Sequence, residues 1–465
     1  MPVPHTHCFS RYMKRLLIAL LLGFATATQA APLKPVVELE EEVYSYTSAD
    51  NGAGPLWCHG STCLVRIGDR LFASGLETVP DAKPLNNCRW MLFERRKTGW
   101  ERVWLDADGR TREPAPLAGF ADGRLFISAN PTLGSGTEPN GGPANPTIFQ
   151  FQSKNPTTPP IPLPPQWQGK PKFREHSYRS FAADGRPGEL ILFNNIDYTH
   201  AEWTFRDRKD TWSAQGQLKW PMGISHDKPG PVRVCYPNVA LLNRAVHFCG
   251  VSDIIEPNKE WREYKRQLTG KEWDYDFRRL FYTWTPDITR QPFAEWIEIA
   301  SREKTCGWVS PGDLYAAPNG DVHIIWSERA LDERLRAKFF PAERQTNSLR
   351  YALLREGKIL RRLTLSESTE DQGGIAGSAG RFHVMPDGRL LVVYYASGNG
   401  VSENRVLELL PDGTAATPVA LGLAHPFTQY FTATPRAGSA PSRTFDMLGQ
   451  QAGTGTKMTY ARVRF

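Results

Sequence analysis

Past residue 30 the chain has no apolar run near the roughly 20 residues that a helix needs to cross a bilayer, so no membrane span is expected there. It lacks a strong charge of either sign. The balance is 56 Lys and Arg against 49 Asp and Glu, too mild a surplus for a nucleic-acid-binding surface. It also lacks the usual cofactor signatures. Gly134-Ser135-Gly136 has no strand before it and no helix after it, so it is not a phosphate or dinucleotide loop. The run Ala376-Gly377-Ser378-Ala379-Gly380 has the spacing of a serine-hydrolase elbow but opens a strand instead of a helix. Cysteine is scarce, seven residues, and Cys58, His59 and Cys63 have no second ligand pair at a matching spacing. No metal and no cofactor is expected.

The amino terminus is informative. Lys14 and Arg15 precede an apolar stretch from Leu16 to Phe24, and small or polar residues follow to Ala30. This is the pattern of a secretory signal peptide, residues 1–30, cleaved after Ala30; Met13, just before Lys14, is an alternative start. The expected location is periplasmic or extracellular. Losing Arg11, Lys14 and Arg15 leaves 53 basic residues against 49 acidic, a net charge of +4. That is compatible with an anionic substrate. Six cysteines remain: Cys58, Cys63, Cys88, Cys235, Cys249 and Cys306. An even count in an exported chain points to at least one disulfide, with the pairing open.

An internal repeat organises residues 31–465 as one domain. Its unit is an apolar strand, a tight Gly, Asp or Asn turn, and a second apolar strand. Seven turns mark it, at Gly68, Gly123, Gly185, Asn243, Gly320, Gly388 and Gly438. The last copy, Tyr430 to Gly449, is the weakest. Asp-Gly and Asn-Gly between apolar runs are strong hairpin signals. A second strand pair follows most copies, and four strands per unit repeated radially make a propeller blade. The expected fold is an all-β, seven-bladed β-propeller with two small helical insertions, Pro257 to Arg279 and Ala330 to Glu343. Val36 to Tyr46 and Met458 to Phe465 are both strand-like, and pairing them closes the ring.

Propeller geometry then sorts the side chains. Residues before each first strand and after each second strand fall on one face, here called the top, and are expected to converge on a central mouth. Trp57 and His59 precede the first copy; Arg174, His176 and Tyr178 precede the third; Arg233 and Tyr236 precede the fourth. Trp308 and Asp313 lead into the fifth, Gln372 into the sixth, and His425 and Gln429 into the seventh. Asp197 and His200, Arg278 and Arg279, and Trp326 and Glu328 follow second strands. Aromatic rings there suit sugar faces, and arginines suit carboxylates or sulfates.

Two short motifs carry a resemblance. Asp207-Arg-Lys-Asp-Thr211-Trp212 resembles the Asp-box of the sialidase-like, BNR-repeat propellers, and Thr285-Pro-Asp287 with Trp296 resembles a second copy carrying an insertion. There is no Arg-Ile-Pro motif, and seven copies replace the usual six of sialidases. The chain is more similar to seven-bladed secreted propellers that include ulvan lyases and related rhamnose–glucuronate enzymes. That resemblance implies a polysaccharide lyase cleaving a uronate-containing glycan, with His and Tyr moving protons and Arg neutralising the uronate. On this chain the implied catalytic group is His176, Tyr236 and Arg233, with His59 as a second acid or base. Tyr178, Trp308, Asp313, Arg279, Trp326, Glu328, His200 and Asp197 are the expected substrate contacts. A glycoside hydrolase would instead use a carboxylate pair drawn from Asp197, Asp313 and Glu328. A non-catalytic glycan-binding or protein-interaction propeller is the third reading.

Overall fold

Short turn motifs set the strand pattern. In Asp122-Gly123-Arg124 and Asp387-Gly388-Arg389 the aspartate Oδ1 accepts from the amide two residues on, at 3.0 and 3.2 Å. Asn319 Oδ1 does the same for Asp321, at 3.1 Å. The glycine between takes positive φ, 98° at Gly123 and 86° at Gly320 and Gly388. An Asx side chain that caps its own turn, followed by a residue free to be left-handed, reverses the chain within a few residues. Six of the seven expected hairpins form around these and other short turns, and the seventh through the longer connection 433–443.

The structure is a computed structural model. It describes residues 33–465 apart from 58–59, 83–84, 135–141, 175–177, 226 and 272–273. The expected signal segment, residues 1–30, lies outside the described residues, as do Cys58, His59 and His176.

Seven antiparallel sheets follow one another. Their innermost strands are Leu64–Ile67, Leu117–Gly119, Arg179–Asp184, Val234–Leu242, Trp308–Ala316, Ala376–Val384 and Phe427–Thr432, for blades 1 to 7. Each sheet has four strands, except that blade 5 adds the short Gly373–Gly374. Val36–Ser45 is the outermost strand of blade 7 and pairs antiparallel with Lys457–Arg464 from Val36↔Arg464 to Ser45↔Lys457. The two ends of the domain therefore close the ring, which removes an open sheet edge.

The apolar core lies between neighbouring blades. Phe193, Phe248 and Phe281 fill the space between blades 3 and 4, and Leu314, Trp326 and Leu354 that between blades 4 and 5. Two α-helices occur among the described residues, α1 (Lys259–Thr269) in blade 4 and α2 (Glu333–Phe339) in blade 5, each after a second strand. Asn258 caps α1 through its side chain, and Asp332 caps α2.

The seventh repeat is weak in sequence for a structural reason. Its hairpin connection, residues 433–443, crosses the axis and bonds to every other blade. Arg66 N donates to Ser439 Oγ at 3.1 Å, Gly119 N to Ala437 O at 2.8 Å, and Ala183 N to Arg436 O at 2.8 Å. Arg436 reaches Val239 O of blade 4 at 3.4 Å and Asp313 of blade 5 at 2.6 Å; His383 of blade 6 meets Ser442 O at 2.7 Å. Gly438, at φ 83°, sits so close to Gly119 that a Cβ would come within 1.9 Å of its carbonyl oxygen. Composition here serves close passage through the channel, not strand alternation.

The disulfide expectation is not tested at Cys58, which lies outside the described residues. No disulfide joins two described cysteines. Cys63, Cys235, Cys249 and Cys306 are buried thiols, Cys235 and Cys249 on the inner and second strands of blade 4. Burial pushes the Cys63 thiol up to about 12.

Candidate functional site

A cavity of about 540 Å³ opens on the top face. Seven of its lining residues lie where strand order places a mouth: Trp57, Arg174, Tyr178, Asp197, Arg233, Tyr236 and Asp253. The first six carry the sequence expectation. Asp253 was missed, although it follows its second strand as Asp197 does. Arg112, Tyr198, Tyr275 and Phe277 also line the cavity and were missed. Arg112 precedes the inner strand of blade 2, the one blade to which no candidate had been assigned; the other three sit in excursions without a repeat signal.

The inner strand of blade 4 builds the centre. Its ladder has a bulge between Cys235 and Asn238, and Tyr236 within it has φ 49°. A left-handed β-strand residue other than glycine costs about 1–3 kcal/mol, and such strain concentrates at functional sites. The bulge turns the ring of Tyr236 into an aromatic cluster. Its centroid is 4.9 Å from Tyr178, 6.0 Å from Trp57 and 6.0 Å from Phe277. The hydroxyls of Tyr178 and Tyr236 are 3.5 Å apart.

Arg233 packs beside this cluster, 5.4 Å from the Tyr178 ring centroid. Its Nη2 donates to Asp253 Oδ2 at 2.6 Å and its Nε to Asp253 O at 3.2 Å. The guanidinium lies 3.7 Å from the ring centroid of Tyr198, a stacked cation–π contact. Nη1 makes no hydrogen bond to a described residue. Cys235 donates its thiol to the same Asp253 Oδ2 at 2.9 Å. Asp253 Oδ2 thus holds both Arg233 and Cys235. Asp197 is exposed and 3.6 Å from Arg174. The mouth holds three arginines against two aspartates, so it favours an anion.

Protonation follows from burial. Burial, with Asp253 and Cys235 nearby, holds the hydroxyl of Tyr236 above the usual tyrosine range. Burial does the same to Tyr178. Behind the wall, beside Arg112, burial pushes the Glu113 carboxyl up to about 7 against the pull of Arg179 and Arg112.

Several expected contacts lie elsewhere. Asp313 is in the channel, 1 % exposed, accepting from Arg436 at 2.6 and 3.0 Å and from the amides of Phe382 and Leu314 at 2.9 Å. Trp326 is a core residue, and its Nε1 donates to Glu328 at 2.6 Å. Glu328 is ion-paired with Arg302. His200 is held by Thr199 at 2.8 Å and Glu202 at 2.9 Å on the third strand of blade 3. Arg279 pairs with Glu303 at 3.0 Å, and Trp308 faces a neighbouring cavity. The expectation that all blades supply one central mouth is corrected: no lining residue of this cavity comes from blades 5 to 7. On that side the axis is occupied by Arg436 and by Arg381, which donates to the carbonyls of Gly312 and Tyr430.

Asp207 Oδ1 accepts from the amides of Lys209 and Thr211 at 2.9 and 3.2 Å, so the Asp-box-like segment is a capped turn between outer strands, away from the mouth. Among the described residues no helix is long and apolar enough to cross a membrane.

No protein-family model and no curated protein matches the chain. Solved structures do match over most of its length. An α-L-arabinanase from Penicillium chrysogenum, complexed with arabinobiose, is 11% identical with a TM-score of 0.42, over 92% of this chain and 98% of that one. The polysaccharide lyase Uly1 is 11% identical with a TM-score of 0.48, over 94% of each chain. The β-propeller domain of the Trilobed protease from Pyrococcus furiosus is 9% identical with a TM-score of 0.42, over 86% of this chain and 94% of that one. Likenesses this distant do not select among such different activities. The assignment of a seven-bladed β-propeller rests on the seven sheets and the ring closure of this chain itself.

Proposed function

We propose that the protein is an exported, carbohydrate-active propeller that binds an anionic glycan in its top-face mouth and cleaves it by β-elimination beside a uronate carboxylate. Export is proposed on the signal-like residues 1–30. The observation that carries the reading is the mouth: Trp57, Tyr178, Tyr236 and Phe277 form an aromatic cluster with Arg112 and Arg233 stacked against it, in a cavity of about 540 Å³.

Aromatic faces take the apolar face of a sugar, and an arginine holds its carboxylate. In the elimination, a base removes the proton on the carbon beside the carboxylate. The electron pair forms a carbon–carbon double bond, the bond to the glycosidic oxygen breaks, and that oxygen takes a proton. Negative charge builds on the carboxylate during the first step, where Arg233 and Arg174, both lining the cavity, would offset it. Tyr236 suits the acid. Its raised pKa keeps the proton on at neutral pH, ready for the leaving oxygen, and makes it a poor resting base. His176, two residues before Tyr178 in sequence, is the proposed base, with His59 as the second choice.

Hydrolysis is less well served. It asks for two carboxylates on opposite sides of the bond, and of the two in the mouth Asp253 is bound to Arg233 and Cys235. The test is ultraviolet absorbance during incubation with a panel of uronate-containing polysaccharides. A rise from new unsaturated ends supports the lyase. New reducing ends without that rise would replace it with a hydrolase, and neither signal with tight glycan binding would leave a binding module.

A further inference from the structure

A second top-face cavity, of about 330 Å³, adjoins the mouth and shares Tyr275 and Phe277 with it. Ring contacts run from one to the other. Phe277 is 6.0 Å from Tyr236 in the mouth and 6.2 Å from Trp308 in the second cavity, centroid to centroid. Most cations in this second cavity are already neutralised. Lys265 faces Glu256 and Asp274, Arg278 faces Glu256, and Arg334 faces Asp332. Arg329 differs. Its side chain makes no ion pair and no hydrogen bond with any described residue, and its Nε is buried without a partner. The guanidinium lies 5.2 Å from the Trp308 ring centroid.

The ladder fixes this pair. Trp308 and Arg329 are direct cross-strand partners at the top end of blade 5. Gly307, just before Trp308, packs so closely on the carbonyls of Arg329 and Ala330 that a Cβ would come within 2.3 Å. The approach leaves Trp308 45 % exposed with its ring beside an uncompensated cation. An exposed indole and an unpaired guanidinium held side by side match a sugar ring bearing an acidic group.

We infer that this cavity is a distal subsite for a further anionic sugar of the chain held in the mouth, with Trp308 under the ring and Arg329 on its acidic group. The inference rests on the anionic-glycan reading above and adds that the substrate is a polymer, held across at least two sites along the Tyr236–Phe277–Trp308 track. Neither residue touches the reacting bond, so both act on affinity for long chains.

The test uses oligosaccharides of two, four, six and eight sugars prepared from a rhamnose–glucuronate polysaccharide, with binding measured by calorimetry on the whole protein. Affinity of the wild type should rise with length. Trp308→Ala and Arg329→Gln should each weaken the octasaccharide about tenfold, the scale of one aromatic or cation contact, and leave the disaccharide unchanged. Equal wild-type affinity at every length would overturn the subsite while leaving the mouth intact. So would a variant that weakens short and long chains alike, or neither. Binding of no length would overturn the anionic-glycan reading, and the subsite with it. Unchanged circular dichroism and Tm in both variants would confirm that folding is not the cause of any loss.

Discussion

Asp313 offers the clearest separation of structural from chemical roles, because it was an expected substrate contact and sits instead at the centre of the channel. Consider Asp313→Ala. The change removes the acceptor of two bonds from Arg436, at 2.6 and 3.0 Å, and of two backbone amides. It leaves the Arg436 guanidinium, 7 % exposed, with only Gly60 O, Asn238 Oδ1 and Val239 O. Breaking a buried pair in this way costs about 3–5 kcal/mol, since an uncompensated charge stays behind. With an unfolding entropy near 2.1 cal/mol/K per residue, a domain of this length loses roughly 4 °C in Tm for a loss of ~4 kcal/mol. Arg436→Ala should cost a similar amount. Replacing both with apolar residues, Asp313→Leu with Arg436→Met, should cost less than either single change, because no charge is then stranded. Urea unfolding followed by tryptophan fluorescence reads all three. Glycan turnover per folded molecule should stay at the wild-type level in Asp313→Ala. Near-wild-type stability with lost turnover would refute the clasp and return Asp313 to the site.

Three further outcomes are expected. Tyr236→Phe should lower kcat by about 10²–10⁴, the usual worth of a proton-transfer group, with a much smaller effect on Tm, because phenylalanine keeps the ring that packs on Tyr178, Trp57 and Phe277. Stability should fall with acid before most carboxylates titrate: burial holds the imidazoles of His247, His323 and His383 down at about 4. The unfolded chain, with histidines near 6.5, binds more protons between those values, so each contribution is complete above about pH 6.5 and is lost as pH falls toward 4, roughly 2 kcal/mol of it by pH 5. Urea midpoints at pH 7 and pH 5 measure this, and His383→Gln should flatten the difference; equal midpoints would refute it. Finally, Cys63, Cys235 and Cys249 should react with a thiol reagent only on unfolding, with no reductant needed, since burial raises each thiol.

The blades were legible because their information is local. Asp122-Gly123, Asn319-Gly320 and Asp387-Gly388 each encode a turn within three residues, and apolar runs on either side encode the strands. Blade order then placed Tyr178, Arg233 and Tyr236 near one another without any knowledge of distance. What stayed hidden depends on which side chains find each other across the ring. Nothing in the sequence near Asp313 distinguishes a channel clasp from a mouth carboxylate, because its partner Arg436 is 123 residues away. The cysteine count was silent for a similar reason: an even number is a property of the chain, while the burial of Cys63, Cys235, Cys249 and Cys306 as core thiols is a property of the fold. Tyr275 and Phe277 lie in an insertion that the repeat does not describe, so no periodicity pointed to them.

The position of the mouth follows from how the axis is filled. Residues 433–443 enter from blade 7 and occupy the channel, and Arg381 ties the carbonyls of Gly312 and Tyr430 together beside them. That leaves blades 5 to 7 without an open channel wall, and the mouth forms over blades 1 to 4, where Trp57, Arg112, Tyr178 and Tyr236 converge. The insertions that widen the top face belong to neighbouring blades: the hairpin Met222–Ser225 and Lys228–Pro231 before blade 4, α1 in blade 4 and α2 in blade 5. A linear substrate that outgrows the mouth therefore finds a built surface toward blade 5, where Phe277 hands over to Trp308, and the direction of the proposed polymer track is a consequence of the plug.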